Sequence, residues 1–154
     1  MLPNKTITIK RTDSFDFDFP QLVALLNLEL HERYGELQLI YDTFNQISNL
    51  DTVVIAYVND MPAGCGCFKR FDEATAEIKR MFVKADERGQ GIASLILKEL
   101  EVWAKEDGYS YAVLETAIKQ QESIGLYKKA GYTIIPNYGQ YIGMENSICF
   151  RKAL

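Results

Sequence analysis

Six consecutive residues, Arg88-Gly-Gln-Gly-Ile-Ala93, put two glycines and a guanidinium where an apolar, strand-like run gives way to a helical one. That combination suits the gripping of an anion. The first four N–H groups of a helix have no intrahelical acceptor, and the aligned peptide dipoles leave partial positive charge there. Gly89 and Gly91 remove Cβ atoms that would hold a phosphate off the main chain, and they tolerate positive φ. Arg88 offers a charge-assisted donor. So many converging donors fit a pyrophosphate. The same glycines also fit an ordinary strand-to-helix turn.

Two phosphate-binding motifs compete for this segment. A Walker A loop requires Lys after its last glycine, and Gly91 is followed by Ile92. A dinucleotide fold fits better on the motif alone, since Gly89-x-Gly91 has Glu115 at the end of the next strand, where a ribose ligand would lie. Against it, Ser94 stands in place of the third glycine and only 60 residues follow it. That is too short for a six-stranded nucleotide fold.

Other chemistry-bearing residues are sparse. Cys65 and Cys67 form a C-x-C, but on a strand they share one face and read as small core residues. The single histidine, His31, lies in a different, helical segment, so no metal site is expected. Three cysteines cannot pair completely, and the start "MLPNKTITIKR" has no apolar signal region, so a cytoplasmic chain with reduced thiols is expected. No apolar run is long enough for a membrane helix. The net charge of −4, with both signs scattered, argues against a nucleic-acid partner.

The elements that must position the loop follow from periodicity. At 154 residues, 47% hydrophobic and 25% charged, the chain is expected to form one domain spanning residues 1–154. "TITIKR", Thr6 to Arg11, alternates as a strand. Pro20 suits the first turn of a helix running to Tyr34, with Leu22, Leu25, Leu26 and Leu30 on one side and Gly35 as its cap. A short helix is expected near Tyr41 to Ile47. From Thr52, three strands joined by turns at Asn59–Pro62 and Asp72–Glu73 make an antiparallel meander ending at Val83. Ile92, Leu95, Ile96, Leu100, Trp103 and Ala104 recur at helical spacing up to Gly108. "YSYAVLET", Tyr109 to Thr116, is a strand, so Glu77 to Thr116 forms a strand-helix-strand crossover and a parallel pair. A helix from Gln120 to Ala130, stopped by Gly131, and two strand-like pieces, "YTIIP" and "SICFRKAL", complete an α+β order.

These residues resemble a known family. Arg88-x-x-Gly91-x-Ala93 matches the Arg/Gln-x-x-Gly-x-Gly/Ala signature of the GNAT superfamily of N-acetyltransferases. "AEIKRMFVKADERGQGIASLILKELEVWAKEDG" resembles that family's strand, pyrophosphate loop and helix, and "LETAIKQQESIGLYKKAGY" its next strand and tyrosine-bearing helix. The resemblance is specific from about Ala76 to Tyr132. It implies a mixed, mostly antiparallel central sheet with helices on both faces and a splayed parallel strand pair that binds acetyl-CoA.

The resemblance also implies roles. Acetyl-CoA would be the donor, its pyrophosphate on the amides of Arg88, Gly89, Gln90, Gly91, Ile92, Ala93 and Ser94. Its pantetheine arm would pair with the main chain of Met81, Phe82 and Val83. Near Phe82 or Val83 a strand N–H would meet the oxyanion of the tetrahedral centre. Tyr127 aligns with the family's proton donor to the departing thiolate. Glu77 is a candidate base, or equally a solvated or salt-bridged strand residue opposite Lys79 or Arg80, and Glu115 is a second candidate base. Gln120 stands where the family often has Asn and Ser123 where it often has Ala; both are candidate coenzyme A contacts. Tyr34, Tyr138 and Tyr141, with Glu32 or Glu36, would line the acceptor pocket. The acceptor would be the amine of a small molecule, peptide or protein, and a homodimer is compatible with such a domain. A non-catalytic acyl-CoA-binding sensor and a dehydrogenase are the competing functions.

Overall fold

The structure, a computed structural model, describes residues 5–35 and 50–154. Among these the chain runs β1 (Ile7–Thr12), α1 (Asp18–Tyr34), β2 (Val53–Val58), β3 (Met61–Arg70) and β4 (Thr75–Val83), then α2 (Ile92–Glu106), β5 (Tyr111–Ala117), α3 (Gln121–Lys129), β6 (Thr133–Ile135) and β7 (Ser147–Ala153). The seven strands form one sheet in the order β1-β2-β3-β4-β5-β7-β6. It is mostly antiparallel, with β4 and β5 as the parallel pair expected of the crossover. The helix expected near Tyr41 to Ile47 lies outside the described residues.

The chain divides into two compact units, residues 1–67 with 80–100, and residues 68–79 with 101–154. In the first, α1 begins at Asp18, two residues before the expected start. The Asp16 carboxylate accepts the Asp18 N–H at 3.1 Å and so serves the helix start. The far end behaves as the sequence suggests: Gly35 adopts φ 54° and gives its N–H to His31 O at 2.9 Å. Phe19, Leu22 and Leu26 of α1 form a core with Val53, Ile55, Cys65, Cys67 and Phe82. The alternation in "AGCGC" explains the other side of β3. A Cβ on Gly64 would come 2.6 Å from Phe82 O, and one on Gly66 would come 2.6 Å from Met81 Sδ, with Ile96 and Leu100 of α2 close behind. Small residues here let helix and strands approach, and both cysteines are buried and outside any disulfide.

The β2–β3 turn is tighter than the sequence suggests. Only Asn59 and Asp60 form it, both at positive φ, and Met61 and Pro62 already belong to β3. Pro62 cannot donate to the ladder, and the register shifts there: Ala56 faces Gly64 while Tyr57 faces Pro62, leaving Ala63 as an extra residue.

In the second unit, β7 runs between β5 and β6, antiparallel to both. The parallel ladder of β4 on β5 covers Thr75↔Tyr111, Ala76↔Ala112 and Glu77↔Val113. Tyr132 donates its hydroxyl to Glu101 at 2.9 Å, and Lys152 pairs with the same carboxylate at 2.9 Å, so this buried acid is satisfied.

Candidate functional site

The first candidate region is the loop between β4 and α2. Gly89 and Gly91 adopt φ 82° and 80°, a conformation that a side chain strains, and among the described residues no atom beyond their chain neighbours lies within 4 Å of where their Cβ atoms would be. Both glycines are therefore set by backbone geometry, and the space over them is open. The first bond of α2 runs from Leu95 N–H to Gly91 O at 3.1 Å, so the amides from Gly89 to Ser94 precede the helical ladder. Ile92 is buried, Ala93 half-buried and Ser94 exposed. Gln90 turns inward, its amide nitrogen donating to Glu87 O at 3.2 Å and to Glu87 Oε2 at 2.9 Å.

Arg88 is more engaged than the sequence suggests. Its Nε donates to Val83 O at 2.9 Å, one terminal nitrogen pairs with Glu29 of α1 at 2.6 Å, and the guanidinium lies 5.8 Å from the Phe82 ring centroid. These bonds fix the loop to the end of β4. The fork has five donors, so the side chain retains capacity beyond them. Phe82 and Val83 are buried and Met81 half-buried. Just before them Arg80 adopts φ 58° inside β4, an uncommon conformation for a non-glycine residue, and donates to Asn27 Oδ1 at 2.7 Å. Nothing in the apolar pattern of "TAEIKRMFV" signals that kink.

The second candidate region is a set of polar side chains inside the 68–79 and 101–154 unit. Glu77 is only 3% exposed. Its Oε2 accepts the Tyr138 hydroxyl at 2.9 Å and lies 3.8 Å from Lys79 Nζ, while its Oε1 lies 3.8 Å from Lys69 Nζ. Lys79 is equally buried; its ammonium donates to the Tyr141 hydroxyl at 3.2 Å and sits 5.7 Å from that ring's centroid. Glu77 thus lies within ion-pairing distance of two lysines.

Glu115 differs. Its Oε2 accepts the Ser147 hydroxyl at 2.6 Å, and among the described residues no cation lies within ion-pairing distance. Burial pushes its carboxyl up to about 7; Glu77's charge adds to the rise, while the Ser147 bond and Lys79 oppose it. Ser147 faces Ala117 in the β5–β7 ladder, two residues from Glu115 and on the same face. The loop carrying Tyr138 and Tyr141 is tied together by Asn137, whose amide nitrogen reaches Tyr141 O at 3.1 Å, Met144 O at 3.0 Å and Ser147 O at 3.2 Å.

Tyr127, on α3, is 5% exposed and packs against Tyr132 and Phe150, each with ring centroids 5.9 Å away. Burial pushes its hydroxyl well above the ordinary phenol range, with the Glu115 charge as a second cause, so it stays protonated at neutral pH. Gln120 is committed locally, accepting the Thr116 hydroxyl at 2.7 Å; Ser123 is half-buried in the first turn of α3. Tyr138 and Tyr141 belong to this polar set, whereas Tyr34 and Glu32 lie on α1 and Glu36 lies outside the described residues. Ser147 and Asn137 escape a reading of the sequence. Ser147's partner Glu115 lies 32 residues away, and Asn137 bonds main-chain carbonyls of its own loop, which no side-chain pattern marks.

Comparison with known proteins adds a family. Residues 19–132 match the model described as the acetyltransferase (GNAT) family. An IAA acetyltransferase of Azospirillum brasilense is 30% identical over 161 residues, covering 99% of this chain and all of the relative. A Xenopus tropicalis protein named "Probable N-acetyltransferase 14" is 32% identical over 135 residues; the match covers 86% of this chain but 65% of the relative's length. A GNAT family acetyltransferase from Elizabethkingia anophelis, solved with acetyl-CoA bound, shares the fold at a TM-score of 0.68 and 24% identity, covering 96% of this chain and 98% of that one.

Proposed function

The chain belongs to the GNAT family of acetyltransferases, and from that premise we propose that it carries acetyl from acetyl-CoA to an amine of a small molecule or peptide by direct attack in a ternary complex. The observation that carries this reading is the loop: two glycines at positive φ, with open space where their Cβ atoms would be, and a run of amides ahead of the α2 ladder. Those amides take the diphosphate of the donor. The main chain of Met81 to Val83 pairs with the pantetheine amides, and a strand N–H near Phe82 or Val83 meets the oxyanion. Gln120 and Ser123 are further contacts to the coenzyme.

In this reading Tyr127 gives its proton to the departing thiolate, and a carboxylate of the buried polar set, Glu77 or Glu115, takes the proton of the amine. Three reduced thiols suit a cytoplasmic enzyme. Two titrations test the proposal. Calorimetry with coenzyme A should give saturable heat. Thiol release from acetyl-CoA should rise above background with one or more of spermidine, tyramine, a lysine peptide and a peptide with a free α-amine. Binding without release from any of them would favour a non-catalytic acyl-CoA module, and the absence of both would overturn the reading.

A further inference from the structure

The end of β4 is tied to α1 on both flanks and in its middle. Arg80 donates a guanidinium N–H to Asn27 Oδ1 at 2.7 Å, Phe82 packs in one core with Leu22 and Leu26, and Arg88 pairs with Glu29 at 2.6 Å. Met81, Phe82 and Val83 thus lie between two arginines that both end on the same helix. The first of these ties joins two residues that are each out of place. Arg80 keeps φ 58° inside a strand, a region that a Cβ disfavours and that persists only where surrounding contacts impose it. Asn27 stands within "ALLNLEL" of α1, although asparagine suits a helix interior poorly because its amide competes for main-chain groups. Here its carbonyl is spent on Arg80, in a bond strengthened by the guanidinium charge. The Arg80 carbonyl, turned by the kink, accepts the Cys65 thiol at 3.4 Å.

We propose that Asn27 is a positioning residue for the donor: by holding the Arg80 side chain it keeps β4 in its left-handed step, and that step aims the main-chain groups of Met81 to Val83 at the pantetheine arm. The proposal rests on the acetyl-transfer reading above. Its physical basis is the alternation of a strand. Successive N–H and C=O groups of a regular strand point to its two neighbours in turn, and one residue at positive φ resets that direction for every residue after it. Arg80 is the residue at which β4 is reset, directly before the segment that would carry the donor. An arginine does not choose this conformation by itself, so its far end must be held. Asn27 does the holding, on a helix that the buried Phe82 and the Arg88–Glu29 pair keep in register with the same segment.

The test separates the backbone step from the side chain that holds it. Glycine adopts positive φ unaided, whereas a β-branched valine resists it. Coenzyme A affinity is measured by calorimetry, and main-chain amide shifts under saturating coenzyme A are followed in each variant. Asn27→Ala should weaken coenzyme A about tenfold and lose the shifts at Met81 to Val83 while keeping those at Gly89 to Ser94. Arg80→Val should do the same. Arg80→Gly should bind within about twofold of the parent, and adding it to Asn27→Ala should restore both affinity and shifts. A bond that merely fastens α1 to the sheet gives no such rescue, because the double variant lacks both partners. Equal losses in Arg80→Gly and Arg80→Val, an unrescued double variant, or Asn27→Ala binding like the parent would overturn the proposal and leave acetyl transfer standing. So would a parent whose amides respond at Gly89 to Ser94 but not at Met81 to Val83. A parent in which neither segment responds to coenzyme A would overturn the proposal and the acetyl-transfer reading together.

Discussion

The β4–α2 loop and the polar set around Glu77 and Glu115 are built on opposite principles. The loop offers main-chain amides, is exposed at Arg88, Gly89, Gly91 and Ser94, and owes its shape to two glycines. The polar set offers side chains, is buried, and owes its chemistry to which charges neighbour which. A backbone site cannot change its charge, so it suits tight and pH-insensitive holding. A side-chain site in low dielectric can have its proton affinity tuned, so it suits transfer. Binding and chemistry should therefore separate under mutation.

Gly91→Val is expected to have the largest effect. A β-branched residue at φ near 80° costs roughly 1–3 kcal/mol, and the loop should relax away from the anion geometry. Coenzyme A affinity by calorimetry should fall about 100-fold. Preserved affinity with lost turnover would break the division. Tyr127→Phe should do the reverse, lowering turnover about 30-fold with coenzyme A affinity within about twofold.

The pH dependence of stability sharpens the picture of the polar set. Glu115 titrates near 7 when folded and near 4.5 as an ordinary carboxyl. Between those values the folded chain holds a proton that the unfolded chain has already lost. Stability should therefore fall as pH rises from about 4.5 to about 7, by about 2 kcal/mol after discounting for solvent at a half-buried group. Denaturation of Glu115→Gln across that range should lack this decline. Asp16, held low chiefly by its hydrogen bond from Lys10, acts oppositely and below the window: its stabilisation is lost as pH drops through the carboxylate range. Arg88→Ala should be the mildest change. Its Glu29 pair is partly exposed and contributes under about 1 kcal/mol, and coenzyme A affinity should drop about fivefold.

This contrast also explains what the sequence reveals. Strand and helix periodicities predict β4, α2 and α3 nearly to the residue, because each pattern is local. The loop is legible for the same reason, since glycine spacing, arginine and helix start lie within six residues. The insertion of β7 between β5 and β6 is not legible, because strand order is a long-range choice. Nor is the Ser147–Glu115 bond, which joins residues 32 apart, or the Arg80 kink, which no turn residue marks. Arg88 shows the limit of motif reading. Its type suggests an anion ligand, and only the structure reveals that two of its donors already hold Val83 O and Glu29.

The claim that main-chain amides at the opening of α2 hold a diphosphate has one most direct test. An amide proton–nitrogen correlation spectrum is recorded while coenzyme A is titrated in, with pantetheine, which lacks the diphosphate, as the comparison. Saturable downfield proton shifts at Gly89, Gly91 and Ile92 to Ser94 with coenzyme A, and none at those amides with pantetheine, are the expected result. Unmoved amides at Gly89 to Ser94 under saturating coenzyme A would contradict it.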